Sequence, residues 1–76
     1  MNVTQCRMAR AALRWTLDDL ASASGVARRT IARYEAGHFI MPEGVSAIRR
    51  AFEDTGVQFI DSGKLAGGIV PPSSRG

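Results

Sequence analysis

Between Thr16 and Gly37 two short helical stretches are separated by one tight turn at Gly25 and Val26, and nothing else in the 76-residue chain restricts the fold as much. Thr16 is followed three residues later by Asp19, a spacing at which each side chain can satisfy the other's backbone N–H at a helix start, with Asp where Glu or Gln is usual. Asp18 and Asp19 in that first turn also suit the positive end of the helix dipole. Leu17, Leu20 and Ala21 supply a short apolar stripe. The polar run Ser22-Ala23-Ser24 ends it, and Gly25 can take the left-handed conformation that an exit requires. After Val26 a second helix is predicted over residues 27–36, closed by Gly37. Ile31 and Tyr34, with Ala27 one turn before Ile31, make its apolar side, and Arg28, Arg29, Ala32 and Arg33 lie on the other. Helices this short cross steeply only if a small residue lets them approach, and Ala21 sits where that closeness is needed, with Leu20, Val26 and Ile31 filling the wedge.

The flanks extend this pattern. Residues 4–14 contain no Gly or Pro, and Cys6, Ala9 and Leu13 recur at helical spacing with Arg7, Arg10 and Arg14 interleaved, so a first helix is predicted there, closed by Trp15 packing inward. His38 to Met41 form a connector. Pro42 suits the first turn of a fourth helix running to about Thr55, whose buried face is Val45, Ile48 and Phe52 and whose exposed side carries Arg49 and Arg50. Beyond Gly56 the pattern changes: Val57-Gln58-Phe59-Ile60 is β-prone, Asp61-Ser62-Gly63 is a turn signal, and Gly68-Ile69-Val70 can return as a second short strand. Residues 71–76 read as a frayed tail. The expected organisation is a helical domain over residues 1–55 and an extension over residues 56–76.

A chain of this length makes one small domain, burying about 60% of the surface its unfolded form exposes, so support from a second copy is expected. Cys6 and His38 are the sole cysteine and histidine, which excludes a disulfide framework or a zinc cluster within the chain; a lone cysteine suits a reducing cytoplasm. No apolar run approaches the ~20 residues that span a bilayer, and the first ten residues lack the apolar stretch of a signal peptide, so no membrane association is expected. The net charge of +3 is unevenly spread: residues 1–50 hold eight arginines against four acids, and the remainder is slightly acidic. Nine of the ten basic residues are arginine, the side chain suited to bidentate contacts with phosphate and guanine.

Arg10, Leu13, Trp15 and Thr16, then Leu20-Ala21, Gly25-Val26, Thr30-Ile31 and Tyr34-Glu35-Ala36-Gly37, agree in order and spacing with one family. Over residues 6–52 the chain resembles the Xre/Cro-type, lambda-repressor-like helix-turn-helix proteins. The resemblance implies an all-α bundle of four to five helices, here with a short β-prone extension, that binds double-stranded DNA, usually as a dimer on an inverted repeat, and most often represses transcription. It places the base-reading positions at Ala27, Arg28, Arg29, Ala32 and Arg33. The family often has glutamine directly after the capping residue, touching the DNA backbone. This chain has Leu17 there, so phosphate contacts are expected from Arg14, Thr16, the Leu17 backbone and His38. The resemblance also implies an ion pair between Arg10 and Glu35.

Elementary physics agrees with a DNA-reading surface. An α-helix fits the major groove, and an arginine near its N-terminus can bond bidentately to guanine, worth roughly 1–3 kcal/mol of discrimination. Taken singly, Arg28, Arg29 and Arg33 could be only a solvated face. Trp15, Tyr34 and Phe52 fall on apolar faces and belong to a core rather than a base-stacking platform. No general base stands beside Ser22 or Ser24, and no paired carboxylates or phosphate-cradling glycines occur, so no enzyme and no cofactor are expected. In the extension, Val57, Phe59 and Ile60 are expected at a dimer interface, where a second copy, or a different protein, adds its own strand. The rival reading is a protein-interaction module that uses the same fold to bind and inhibit another regulator or a toxin. Three arginines around the recognition surface favour DNA.

Overall fold

Local chemistry sets each helix boundary in the computed structural model, which describes residues 1–72. The last four residues of the tail expected over residues 71–76 lie outside the described residues. The first helix, α1 (Val3–Leu13), starts one residue earlier than its apolar pattern indicates, because Asn2 caps it. Asn2 Oδ1 accepts from the Gln5 N–H at 2.7 Å while Gln5 Oε1 accepts from the Asn2 N–H at 2.9 Å. The helix ends on Arg14, a non-glycine residue in the left-handed region (φ 56°), which turns the chain so that Trp15 points back to the core.

The second helix, α2 (Leu17–Ser24), carries the reciprocal Thr16–Asp19 cap and exits through Gly25 at φ 75°. The third, α3 (Arg28–Glu35), is shorter at both ends than the predicted 27–36. The fourth, α4 (Pro42–Glu53), opens on proline and stops two residues before Thr55, whose hydroxyl donates to the Phe52 carbonyl at 2.6 Å. Two short strands, β1 (Gln58–Phe59) and β2 (Ile69–Val70), pair antiparallel with Gln58 opposite Val70 and Phe59 opposite Ile69. The fold is therefore a four-helix bundle, at the lower end of the expected four to five, with a hairpin after α4.

Leu20, Ile31, Ile48, Phe52, Val57 and Cys6 are fully buried and form one core with Ala9, Tyr34, Ile40 and Ala51. Trp15 stacks on Phe52 at 5.7 Å between ring centroids, and Phe59 meets Phe52 edge-on at 6.2 Å. These are the offset and T-shaped arrangements that aromatic quadrupoles prefer. Two expectations change. Ala27 is exposed at the start of α3 rather than on its apolar side, and Val45 is only half-buried while Ala51 takes a place in the core.

The hairpin is built into this core rather than appended to it. Gln5, buried in α1, sends its amide across to the carbonyls of Ile60 (3.3 Å) and Gly68 (3.0 Å). Arg49 of α4 lies over the Phe59 ring at 5.2 Å and pairs with Asp61 at 3.2 Å. Pro72 lies against Gly56, where a Cβ would meet its ring at 3.3 Å. Val57, Phe59 and Ile69 of the segment after α4 thus pack on the same hydrophobic core as the helices.

Candidate nucleic-acid interface

The polarity of α3 decides what it can do. Ile31 is fully buried and Tyr34 nearly so, which fixes one side of the helix to the bundle. Arg28, Arg29 and Arg33 are exposed on the other side, with Ala32 half-buried between them and Ala27 exposed at the entrance. Residues four apart share a helix face, so Arg29 stands in line with Arg33, and Arg28 with Ala32, as two adjacent rows. Eight residues span about 12 Å at 1.5 Å each, the length of helix that three or four base pairs of a groove accommodate.

The turn between α2 and α3 is locked from inside. Ser24 Oγ donates to the Leu20 carbonyl at 2.7 Å and accepts the Val26 N–H at 3.1 Å. Gly25 supplies the positive φ, and Leu20, Ala21, Val26 and Ile31 pack between the two helices. Behind α3, Arg10 grips Glu35 through two contacts, Nε to Oε2 at 2.7 Å and Nη2 to Oε1 at 2.8 Å, and its remaining Nη1 donates to the Trp15 carbonyl at 3.0 Å. The bidentate pair ties α1 to α3 with only 24% and 11% of the two side chains exposed.

Electrostatics follow from this packing. Burial pushes the Glu35 carboxyl up, but the hydrogen bonds and charge of Arg10 outweigh it and hold Glu35 below the usual carboxylate range. The same hydrogen bonds raise Arg10. Cys6, whose thiol lies 3.5 Å from Glu35 Oε2, is pushed up to about 12, first by burial and then by the neighbouring carboxylate. This thiol is a packed core group, remote from nucleophile chemistry.

The expected phosphate contacts are spread around the mouth of the motif. Arg14 and Thr16 are exposed before α2, and Leu17 is half-buried at its first position, packed against the core. His38 is exposed just after α3. The α2 start carries a residue that the sequence reading did not single out as part of this surface: Asp18 reaches across to Arg28, with Oδ1 3.1 Å from Nε. The two residues belong to different helices, so helical periodicity could not have paired them. Gln5 was likewise missed, because its carbonyl partners lie 55 and 63 positions away in the chain.

Among the expected interface residues, Phe59 and Ile60 are half-buried, whereas Val57 is 2% exposed in the chain's own core. Val57 belongs to that core, and its N–H donates to the Phe52 carbonyl at 3.3 Å. Phe39 and Met41, 79% and 61% exposed, stand on the connector between α3 and α4. Among the described residues no cluster of His, Cys, Asp and Glu is arranged to hold a metal ion, and no helix is long and apolar enough to cross a membrane.

No curated protein matches the chain. A helix-turn-helix family model matches residues 7–53, from the middle of α1 to the end of α4, and includes all of the locked turn and the arginine-bearing helix. With that match over more than half its length, the chain belongs to the Xre/Cro, lambda-repressor-like helix-turn-helix family of DNA-binding regulators.

Proposed function

We propose that this protein is a sequence-specific transcriptional repressor of the cytoplasm that binds an inverted repeat as a homodimer, with α3 in the major groove. One observation carries the reading: Arg28, Arg29 and Arg33 are exposed on a helix that Ile31, Tyr34 and the Arg10–Glu35 pair hold rigidly from behind. A surface held in place by its own core costs little ordering on binding, which is what recognition by fixed geometry requires. Arg28 and Arg29 read base edges near the entrance of α3, flanked by Ala27 and Ala32, which leave room for thymine methyl groups. Arg33 follows one turn later. Arg14, Thr16, the Leu17 backbone and His38 take phosphates and set register without reading sequence.

The dimer contact is assigned to the hairpin. A two-stranded sheet leaves open edges, and Phe59 and Ile60 are only half covered while Val70 is 44% exposed. The described chain measures about 30 Å across its two longer axes. In this reading the two-fold axis sets the two α3 helices roughly one DNA turn, ~34 Å, apart.

The test is selection of duplexes from a random-sequence library, followed by binding measurements on the recovered sequence. The expected outcome is an inverted repeat, bound by two copies per duplex, with Arg28→Ala and Arg29→Ala each losing roughly 1–3 kcal/mol on that sequence and much less on random duplex. Recovery of no common sequence, or wild-type binding by both variants, refutes the assignment. A salt-resistant complex with a protein that ignores all three arginines supports an interaction module instead.

A further inference from the structure

We propose that Asp18 is a positioning residue for DNA discrimination, holding Arg28 in a guanine-reading pose and keeping that charge from being spent on phosphates. The inference rests on the DNA-reading assignment of α3 and adds a residue outside that helix.

The geometry is specific. Asp18 is in the first turn of α2, Arg28 is the first residue of α3, and their side chains meet with Asp18 Oδ1 3.1 Å from Arg28 Nε. The contact is an ion pair whose closest approach is on the Nε side of the guanidinium, and an arginine so paired can still fork onto guanine O6 and N7 through its remaining donors. No other carboxylate lies within ion-pairing distance of Arg28 among the described residues. Arg29 and Arg33, by contrast, have no such partner among the described residues and are left as unrestrained cations.

The placement is also unfavourable for Arg28 on its own. The first turn of α3 contains no acid, and Ala27 provides no side-chain cap, so Arg28 sits at the positive end of a helix dipole that disfavours it. Asp18, at the corresponding end of α2, is favoured there and offsets that field. A carboxylate on a surface meant for polyanionic DNA weakens every complex equally unless it acts through something sequence-dependent. Acting through Arg28, it has that dependence. On random DNA it restrains an arginine that would otherwise swing to the nearest phosphate. On a site with guanine at the matching position, the preset fork is satisfied without being reoriented.

The pair is exposed, 62% and 80% for the two side chains, so its removal should leave folding intact and alter binding alone. The experiment measures affinity of wild type, Asp18→Asn, Asp18→Glu, Arg28→Ala and the Asp18→Asn/Arg28→Ala double variant for two probes. These are the duplex recovered by wild type from the random library and a random-sequence duplex. Asp18→Asn is expected to bind random duplex about twofold to threefold more tightly, through the lost negative charge, and to lose about threefold in the ratio of specific to random affinity, the most that an exposed pair supplies being about fivefold. In the Arg28→Ala background the same substitution should leave that ratio unchanged, and Asp18→Glu should keep most of it. An unchanged ratio in Asp18→Asn, or an equal loss with and without Arg28, overturns this proposal while leaving the DNA-binding assignment standing. If wild type recovers no common sequence, both fall together.

Discussion

Glu35→Ala isolates the contact that sets α3 against the rest of the bundle. The substitution removes two charge-assisted hydrogen bonds, at 2.7 and 2.8 Å, and leaves the Arg10 guanidinium three-quarters covered with only the Trp15 carbonyl as partner. Breaking a buried pair from one side costs about 3–5 kcal/mol. Arg10 keeps one bond and some access to water, which puts the expected loss at the lower end, about 3 kcal/mol. For a domain of this size that corresponds to a fall in Tm of roughly 12–24 °C. Urea unfolding at pH 7, followed by Trp15 fluorescence, measures it directly, because Trp15 stacks on Phe52 only in the folded state. The Arg10→Met/Glu35→Leu double variant should lose less than Glu35→Ala alone, since an apolar pair of similar volume leaves no uncompensated charge. A loss below about 0.5 kcal/mol for Glu35→Ala, typical of a surface pair, would refute the claim that this contact fixes α3.

Three further outcomes follow from the same geometry. The lowered Glu35 carboxyl contributes stability that is complete above its unfolded value near 4.5 and is lost as pH falls through the lower folded value; the stability of Glu35→Gln, measured by denaturant titration between pH 6 and pH 2, should therefore fall less steeply with acid than that of wild type. Gln5→Leu removes the amide that bonds the Ile60 and Gly68 carbonyls, and should cost about 1–3 kcal/mol while speeding amide exchange in the hairpin more than in α2 or α3. Cys6, buried and with its thiol pushed up to about 12, should react with a thiol reagent at pH 8 only as fast as the protein opens, and at full speed in denaturant.

What the sequence makes legible is the chemistry that acts over a few residues. Thr16 with Asp19, Gly25 after the polar run, and Pro42 at a helix start each state their role within one turn of chain, and the structure places a cap, a left-handed exit and a first-turn proline there. The 3.6-residue spacing finds Ile31, Tyr34, Ile48 and Phe52 in the core for the same reason. It fails at Ala27, where the helix has not yet begun and the spacing no longer describes a direction. In the extension, β-prone apolar residues mark Val57, Phe59 and Ile60 as groups that want cover, but such character cannot say whether the cover is the chain's own core or another subunit. The Arg10–Glu35 contact bridges 25 residues and was accessible only through family resemblance. Asp18–Arg28 and the Gln5 clamp are tertiary juxtapositions of ordinary polar residues, with no spacing signal to announce them.

Chemical-shift mapping of the isotope-labelled protein, titrated with the duplex it selects, tests most directly whether α3 is the face that meets DNA. Amide shifts should concentrate at residues 27–33 and at the start of α2 and leave Ile31 and Tyr34 side chains in place, and the affinity fitted from the titration should fall with salt at a log–log slope of about −5 if six phosphates are engaged. Shifts confined to the Phe39–Met41 connector or to the hairpin, with Arg28, Arg29 and Arg33 unmoved, would contradict the account.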